Sequence, residues 1–443
     1  MAWYLVFLLK IQLMLRNSLL ISLFTLLSFF SFAQDEEYFS NNTLRYDNFI
    51  YKESIKTPLI YRQGFELSYP VVELNTNDTI VLTFDDLADA IGNYSYTLIH
   101  CNSNWLPTSL SPNDFIDGFV ENPVTEYQPS FNTFCNFFHY KICIPNENIR
   151  VKISGNYLLM VYENGDKESL VLTRRFFVVE SKTEIIAQVR RATQIDLMKS
   201  HQEIDFVLRN AFTCNDPFQD IKVVISQNYR WDNVIKDLKP LFIKDNELTY
   251  NYEEGNLFPG GSEFRWFDGK SVTYQTERVQ SISYQKPFYN FYMNPDEKRT
   301  FKIYFQSQDI NGKFLVKNSK GIDSEVEADY VYVHFALPYE APLVDGNIYV
   351  FGAISDWRCT TNNMLKYNYE NKTYELSMFV KQGFYDYQYA FLKDGTNEAD
   401  LSFIEGNHYE TENDYLIFVY WHDITSRYDH LTGFKAVNSV YQK

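Results

Sequence analysis

Apolar and polar residues alternate along most of the chain. Between positions 330 and 337, Val331, Val333, Phe335 and Leu337 occupy every second position. This period of two is that of a β-strand with one face on a hydrophobic core. Similar runs rich in Tyr, Phe, Val and Leu recur throughout, whereas the 3.6-residue period of a long helix does not. The pattern predicts an all-β protein.

Two pairs of these runs are predicted to form β-hairpins. The first joins residues 157–162 to 170–179, and the second joins residues 300–307 to 313–316, with an Asn-Gly pair between the runs in each case. Asn-Gly is the strongest short-range hairpin signal because both residues tolerate the positive φ of a type I′ turn.

Two joints divide the chain into three units of sandwich size. A polar joint lies at residues 181–184, and a proline-flanked linker lies at residues 338–342. Turn signals about every 8–12 residues within each unit favour immunoglobulin-like sandwiches. We therefore predict three consecutive immunoglobulin-like β-sandwich units after a cleaved signal peptide: an N-terminal unit at 34–182, a middle unit with an aromatic insertion at 183–340, and a C-terminal unit at 341–443.

The first 33 residues have the pattern of a secretory signal peptide. The charges of Lys10 and Arg16 precede an apolar run at residues 19–30, and the small residues Ser31 and Ala33 precede the Ala33–Gln34 bond. Cleavage at this bond is favoured over retention as a membrane anchor because acidic residues follow at once. Met1 and Met14 remain alternative starts. No later segment approaches the length of a membrane span. Because the signal peptide directs secretion, we expect an exported protein.

Composition and charge narrow the range of partners. Aromatic residues make up 18% of the 443 positions, and aromatic residues favour strands. The formal net charge is −17, and signal cleavage makes it two units more negative because Lys10 and Arg16 are removed. A chain with this charge and no basic run is repelled by phosphate backbones. Nucleic acid is therefore not an expected partner.

No motif of an enzyme, cofactor site or metal site occurs. The sequence contains no HExxH, GxSxG, P-loop or GxGxxG pattern. His100 stands beside Cys101, but adjacent residues of a strand point to opposite faces, so this pair is a poor catalytic dyad. The pairing of the five cysteines stays open, with Cys135 and Cys143 the closest in sequence. We predict no catalytic residue, no metal and no cofactor.

Three aromatic residues are candidates for contact with a protein partner. Trp105, Trp266 and Phe267 lie in polar, turn-rich segments, where an apolar side chain is harder to bury. Tryptophan is also enriched at the energetic centres of protein interfaces. These residues are predicted to bind a partner.

The C-terminal unit resembles an early-set immunoglobulin-like domain of the glycogen-binding type. The resemblance rests on the run NIYVFGAISDW at 347–357 and on the strand that begins at Gly383, with Tyr385 and Tyr387 on one face. It implies that Trp357 stacks on a sugar. The alternative is that Trp357 packs under its own loop.

Residues 44–434 resemble the type IX secretion system plug protein family of Bacteroidetes. Eight short motifs occur in order: HCNSNW (100–105), SFNT (130–133), SGNY (154–157), TRRF (173–176), NDP (215–217), GGSEFR (260–265), DING (309–312) and EADYV (327–331). Ser262 departs from the family pattern, in which Asn is expected. The resemblance implies a periplasmic, non-enzymatic protein that lies at the inner side of the outer membrane and closes the periplasmic opening of the translocon β-barrel.

Two other functions compete with this expectation. A periplasmic protein that binds α-glucan through the C-terminal unit would use Trp357. An enzyme with early-set accessory domains would need a catalytic domain, and the chain has no βα repeat of the roughly 250 residues that a catalytic barrel requires.

Overall fold

The computed structural model describes residues 43–423 and 425–440. The predicted signal peptide, with Ala33 and Gln34, lies outside these residues. Regular structure in the described part of the chain is almost entirely β-strand, and its four α-helices have four residues each. The prediction of an all-β, sandwich-type fold is confirmed.

The N-terminal sandwich contains two main sheets. One has the strand order β1-β12-β11-β5-β7, with β3 added to β12, and the other has the order β2-β4-β9-β8, while β6 pairs with β10. The elements are β1 (Phe49–Ile50), β2 (Ile55–Arg62), β3 (Val71–Glu73), β4 (Ile80–Asp86), β5 (Tyr94–Cys101), α1 (Pro112–Phe115), β6 (Ile116–Gly118), β7 (Asn122–Pro123), β8 (Glu126–Pro129), β9 (Phe138–Ile144), β10 (Ile149–Val151), β11 (Gly155–Glu163) and β12 (Asp166–Val179).

Side chains from both sheets of this unit share one hydrophobic core. Phe84 of β4 and Leu159 of β11 are buried together in it, since alternate residues of each strand point inwards. β11 and β12 pair antiparallel around Asn164 and Gly165, whose φ values are 55° and 73°. The first predicted hairpin is thus confirmed.

A second sandwich, called here the host sandwich, is built from two distant parts of the chain. Its sheets have the orders β13-β14-β18-β17, with β19 added to β14, and β16-β15-β29-β30. The elements are β13 (Thr183–Arg191), β14 (His201–Asn210), α2 (Pro217–Asp220), β15 (Ile221–Gln227), β16 (Ile235–Lys236), β17 (Phe242–Lys244), β18 (Glu247–Tyr250), β19 (Leu257–Pro259), β29 (Asp414–His422) and β30 (Asp429–Asn438).

The third sandwich, called here the inserted sandwich, lies between β19 and β29. Its sheets have the orders β20-β28-β23, with β25 also paired to β28, and β21-β22-β24-β27-β26. The elements are β20 (Arg265–Asp268), β21 (Val279–Gln285), β22 (Phe288–Met293), β23 (Phe314–Val316), α3 (Ser324–Glu327), β24 (Tyr330–Pro338), β25 (Gly346–Phe351), a 3-10 turn (Ala353–Ser355), β26 (Lys366–Asn368), β27 (Thr373–Lys381), β28 (Gly383–Lys393) and α4 (Ser402–Glu405).

This nesting corrects the predicted boundary between 183–340 and 341–443. β15 pairs antiparallel with β29, from Ile221 opposite Trp421 to Gln227 opposite Tyr415. β24, which ends at Pro338 in the predicted linker, stays in one sheet with β27. The sheet of β20, β23 and β28 also joins strands from both sides. Three sheets therefore cross the predicted boundary, and the second and third units are nested rather than consecutive.

The second predicted hairpin is wrong. Residues 314–316 form β23, but β23 pairs with β28 and not with residues 300–307. Residues 303–310 contain no strand, turn, bend or helix. This part of the chain is instead held against the surface of the inserted sandwich by the contacts described next.

Candidate protein-interaction surface

Residues 301–307, called here the apolar segment, are held at both ends. Before the segment, the Arg299 N–H donates to the carbonyl of Ile404 at 2.8 Å. Beyond it, the Phe264 N–H donates to the carboxylate of Asp309 at 2.6 Å. The segment thus has a fixed start and a fixed end although it joins no sheet.

Three large apolar side chains of the segment face solvent. Phe301 and Ile303 are each 94% exposed and Phe305 is 81% exposed. The intervening Tyr304 turns the other way, and its hydroxyl donates to Glu263 at 2.5 Å. Single exposed apolar residues are normal on protein surfaces, but a contiguous apolar patch marks a surface that binds something.

A buried ionic network fixes the start of the segment. Glu405 is fully buried and accepts hydrogen bonds from Arg265 at 2.9 Å and from Arg299 at 2.7 Å. Arg265 also donates to Asp296 at 2.9 Å. Burial alone would raise the pKa of Glu405, but the charges of the two arginines lower it to about 2. The carboxylate is therefore ionised at neutral pH and holds Arg299 in place.

Three carboxyl groups near the end of the segment have raised pKa values, in contrast to Glu405. Burial raises the pKa of Glu263 to about 7 and that of Asp309 to about 6. Burial and the neighbouring Asp309 raise the pKa of Asp386 to about 8. Asp386 accepts the N–H groups of Ile310 and Gly312 at 2.6 and 3.2 Å, so it fixes the loop before β23.

A second exposed aromatic patch lies where the N-terminal and inserted sandwiches meet. The ring of Phe134, 53% exposed, lies 5.3 Å from Tyr284 and 5.5 Å from Tyr289. The Phe134 N–H donates to Asp329 at 2.8 Å, which ties this loop of the N-terminal sandwich to the inserted one. The patch is less exposed than the apolar segment and is supported by both units.

A cleft of about 440 Å³ also lies between these two sandwiches. At its base Asp85 accepts from Lys381 at 2.6 Å, from Tyr330 at 2.7 Å and, at its other oxygen, pairs with His139 Nδ1 at 2.7 Å. Burial opposes the charge on Asp85, but Lys381 and His139 still lower its pKa. Because three donors occupy this carboxylate, it joins the two sandwiches and is not available as a general base.

Trp105 is not at the surface. It is 3% exposed, and its ring packs edge-on against Phe177 with centroids 5.2 Å apart. The guanidinium of Arg175 covers it at 4.2 Å. The prediction that Trp105 contacts a partner is corrected, because these side chains already bury it.

Trp266 and Phe267 have different environments although they are adjacent. Phe267 is 1% exposed and stacks on Tyr385 in the core of the inserted sandwich, with centroids 5.1 Å apart. Its predicted partner contact is corrected for the same reason as that of Trp105. Trp266 lies on the outer face of β20, is half-buried and stacks on Phe384 at 5.5 Å. Its role in partner binding stays a prediction.

Trp357 is half-buried in the loop after β25. Its ring makes edge contacts with Phe264 and Phe351, at centroid distances of 6.0 and 5.7 Å. Gly312 lies directly beneath it, since a Cβ at that position would come within 2.3 Å of the indole. These contacts are those of a residue that packs under its own loop, and sugar stacking by Trp357 stays a prediction.

Within residues 43–423 and 425–440, no group of three or more His, Cys, Asp or Glu side chains is arranged to hold a metal ion. In the same residues, no helix is long and apolar enough to cross a membrane. Cys135 and Cys143, the pair closest in sequence, are free thiols.

Sequence reasoning missed the apolar segment as a surface. Its alternation of Phe301, Ile303 and Phe305 was visible, but alternation predicts a strand with one buried face. The signal that could have identified it is the absence of a second alternating run able to pair with it, since residues 313–316 are only four residues long.

Comparison with known proteins agrees with the motifs. Residues 55–180 match the type 9 secretion system plug protein 1st domain. A hypothetical protein from Parabacteroides merdae, known from its crystal structure, is 34% identical, with a TM-score of 0.86 over 89% of this chain and 100% of that one. No curated protein matches the chain. The chain belongs to the type IX secretion system plug protein family.

Proposed function

We propose that this protein is a non-enzymatic periplasmic plug, which binds and seals the periplasmic opening of the outer-membrane translocon barrel of the type IX secretion system. The observation that carries the proposal is the match of residues 55–180 to the first domain of plug proteins. On this proposal the protein lies in the periplasm, at the inner side of the outer membrane.

The contacts between the sandwiches support a blocking role. Ser103 of the N-terminal sandwich donates to Asp429 of the host sandwich from both its N–H and its hydroxyl, at 3.0 and 2.8 Å. Arg174, which is 1% exposed, reaches Asp356 of the inserted sandwich at 2.9 Å. Buried polar contacts of this kind fix geometry because an unpaired partner is costly. A protein that blocks a pore needs this stiffness so that it keeps its shape across the pore.

The surface supports binding to a protein. The apolar segment and the patch around Phe134 expose large side chains that a partner would cover, and standard interfaces bury about 1,200–2,000 Å² in total. Trp266 remains a third candidate contact. The negative charge of the chain, −17 for the full sequence, would speed docking to a basic rim.

Co-purification tests the proposal. The translocon barrel is tagged in the native organism, extracted from the outer membrane with mild detergent and purified, and its bound chains are identified. This chain is expected in the barrel fraction and not in a mock purification from an untagged strain. Barrel preparations that consistently lack it would refute binding.

Sealing is tested separately in a deletion strain. Loss of a seal admits large antibiotics that an intact outer membrane excludes, so the deletion strain should be more sensitive and a plasmid copy should restore resistance. Unchanged sensitivity, together with co-purification, would retain the binding and refute the seal.

A further inference from the structure

The apolar segment has the sequence of a β-strand but no strand to pair with. Residues 301–307 read FKIYFQS, which is rich in β-favouring residues and places Phe301, Ile303 and Phe305 at alternate positions. Every other long run of this kind that was predicted lies in a sheet of the described structure. A local preference that disagrees with the fold around it marks a functional site more often than an error of the sequence.

Beyond Lys302, the main-chain groups of this stretch also lack hydrogen-bond partners within the described residues. Among the described residues, none donates to or accepts from the backbone of residues 303–308. The Lys302 N–H, which donates to the Arg299 carbonyl at 2.9 Å, is the last internal bond before this stretch. Backbone N–H and C=O groups need partners wherever water is excluded. Any molecule that covers Phe301, Ile303 and Phe305 must therefore also satisfy this backbone.

This requirement decides between the surfaces that could cover the segment. A lipid surface would accept the apolar side chains, but hydrocarbon offers nothing to six consecutive residues with unpaired peptide groups. A smooth apolar groove has the same defect. The exposed edge of a β-sheet supplies both partners at once: main-chain hydrogen bonds for the backbone and a pocketed face for alternate side chains.

We propose that residues 301–307 add as a β-strand to an exposed sheet edge or extended segment of the protein partner. The identity of that partner as the translocon rests on the proposed function above. The anchors at Arg299 and Tyr304 hold the segment at a fixed place before binding, which lowers the entropic cost of docking. The partner gains a strand, and Phe301, Ile303 and Phe305 enter one face of the extended sheet.

Two kinds of variant separate backbone pairing from apolar contact. The triple variant Phe301→Ser, Ile303→Ser, Phe305→Ser removes the apolar side chains and retains every N–H. The single variants Gln306→Pro and Ser307→Pro each remove one N–H and none of the three apolar side chains, and because these residues are adjacent in sequence their N–H groups point to opposite edges of a strand.

Val344 provides the matched control. It is also 94% exposed and lies in a loop outside the segment, so Val344→Ser and Val344→Pro make the same chemical changes elsewhere. The full-length variants are immobilised, binding of the detergent-purified tagged barrel is measured, and thermal unfolding of each variant is required to match that of the native protein.

The expected result is a loss of at least 100-fold in affinity for the triple variant. One of the two proline variants, and not the other, should lose about tenfold or more in affinity. A strand that adds to a sheet edge forms its hydrogen bonds through only one of its own two edges. The Val344 variants should bind as the native protein does. If the triple variant loses affinity but both proline variants bind normally, the segment docks by side chains alone and strand addition is refuted.

Other outcomes overturn the inference in different ways. If all variants bind the barrel normally, the segment is not the contact, while the proposed function survives. If the native protein does not bind the barrel, the proposed function fails together with the partner named here. If the triple variant instead abolishes self-association in sedimentation, or binding to vesicles of phosphatidylethanolamine and phosphatidylglycerol, the segment serves a second copy or a lipid surface.

Discussion

The substitution Glu405→Gln should destabilise the inserted sandwich strongly. Glu405 is fully buried and receives hydrogen bonds from Arg265, from Arg299 and from the N–H of Tyr389 at 2.8 Å. Glutamine has nearly the same shape but places an amide N–H₂ donor against guanidinium donors, and it leaves the two arginines short of one negative charge.

Two routes give the size of the effect. A pKa lowered from the usual 4.5 to about 2 corresponds to about 3 kcal/mol of stabilisation by the ionised Glu405 at neutral pH. Removal of one partner from a buried ion pair costs about 3–5 kcal/mol in other proteins. Both routes place the loss of unfolding free energy for Glu405→Gln near 3 kcal/mol.

The contribution of Glu405 to stability also depends on pH in a defined direction. The pKa of Glu405 is lower in the folded protein, so the unfolded chain binds the proton more tightly. Its contribution is present above pH 4.5 and is lost as the pH falls from 4.5 towards 2. The native protein should lose it on acidification, whereas Glu405→Gln has already lost it.

Hydrogen exchange of the amides in β20 and β28 measures the opening free energy of this unit without requiring the whole chain to unfold in two states. Glu297→Gln is the matched control, because the Glu297 side chain is 75% exposed and its substitution should leave the opening free energy nearly unchanged. A loss below about 1 kcal/mol for Glu405→Gln, or a parallel acid response of both proteins, would refute the reasoning.

Two further predictions concern the loop before β23. Gly312→Ala should destabilise the protein by about 1–3 kcal/mol more than Gly165→Ala in urea unfolding, because both glycines have positive φ (76° and 73°) but only the first would place its Cβ against a side chain; equal losses would contradict this. Burial raises the pKa of Asp386 from its usual 3.8 to about 8, so its contribution to stability is complete below about pH 4 and is lost as the pH rises from there to about 8. The melting temperature should decline between pH 5 and 8, and Asp386→Asn should flatten that decline, whereas an unchanged slope would count against it.

The sequence predicted strands well because their signal is local. The alternation at 330–337 became β24, and the Asn-Gly pair at 164–165 turns the β11–β12 hairpin. It could not predict that the inserted sandwich interrupts the host sandwich, because β15 would have the same pattern beside any strand. Its pairing with β29 depends on residues far away in the sequence.

The burial of the candidate site residues also depends on residues that are distant in the sequence. Polar neighbours at 102–104 suggested that Trp105 is exposed, but Phe177 and Arg175, which bury it, are distant in sequence. The strand-like pattern of residues 301–307 likewise predicted a hairpin with residues 313–316, but β23 pairs with β28 instead. Which strand satisfies a preference for pairing cannot be known from the chain alone.

The nested topology also places the two paired strands β15 and β29 far apart in the sequence. β15 is made long before β29, so the early host sandwich exposes a sheet edge, which is prone to aggregate. The two ends of the inserted sandwich meet, with the His408 N–H donating to the Gly261 carbonyl at 2.8 Å. Folding of the inserted sandwich brings the two ends of the chain between β15 and β29 close together. Most of the entropic cost of closing that long loop has then already been met. The folding of the inserted sandwich thus turns the last and most distant strand pairing of the chain into a local step.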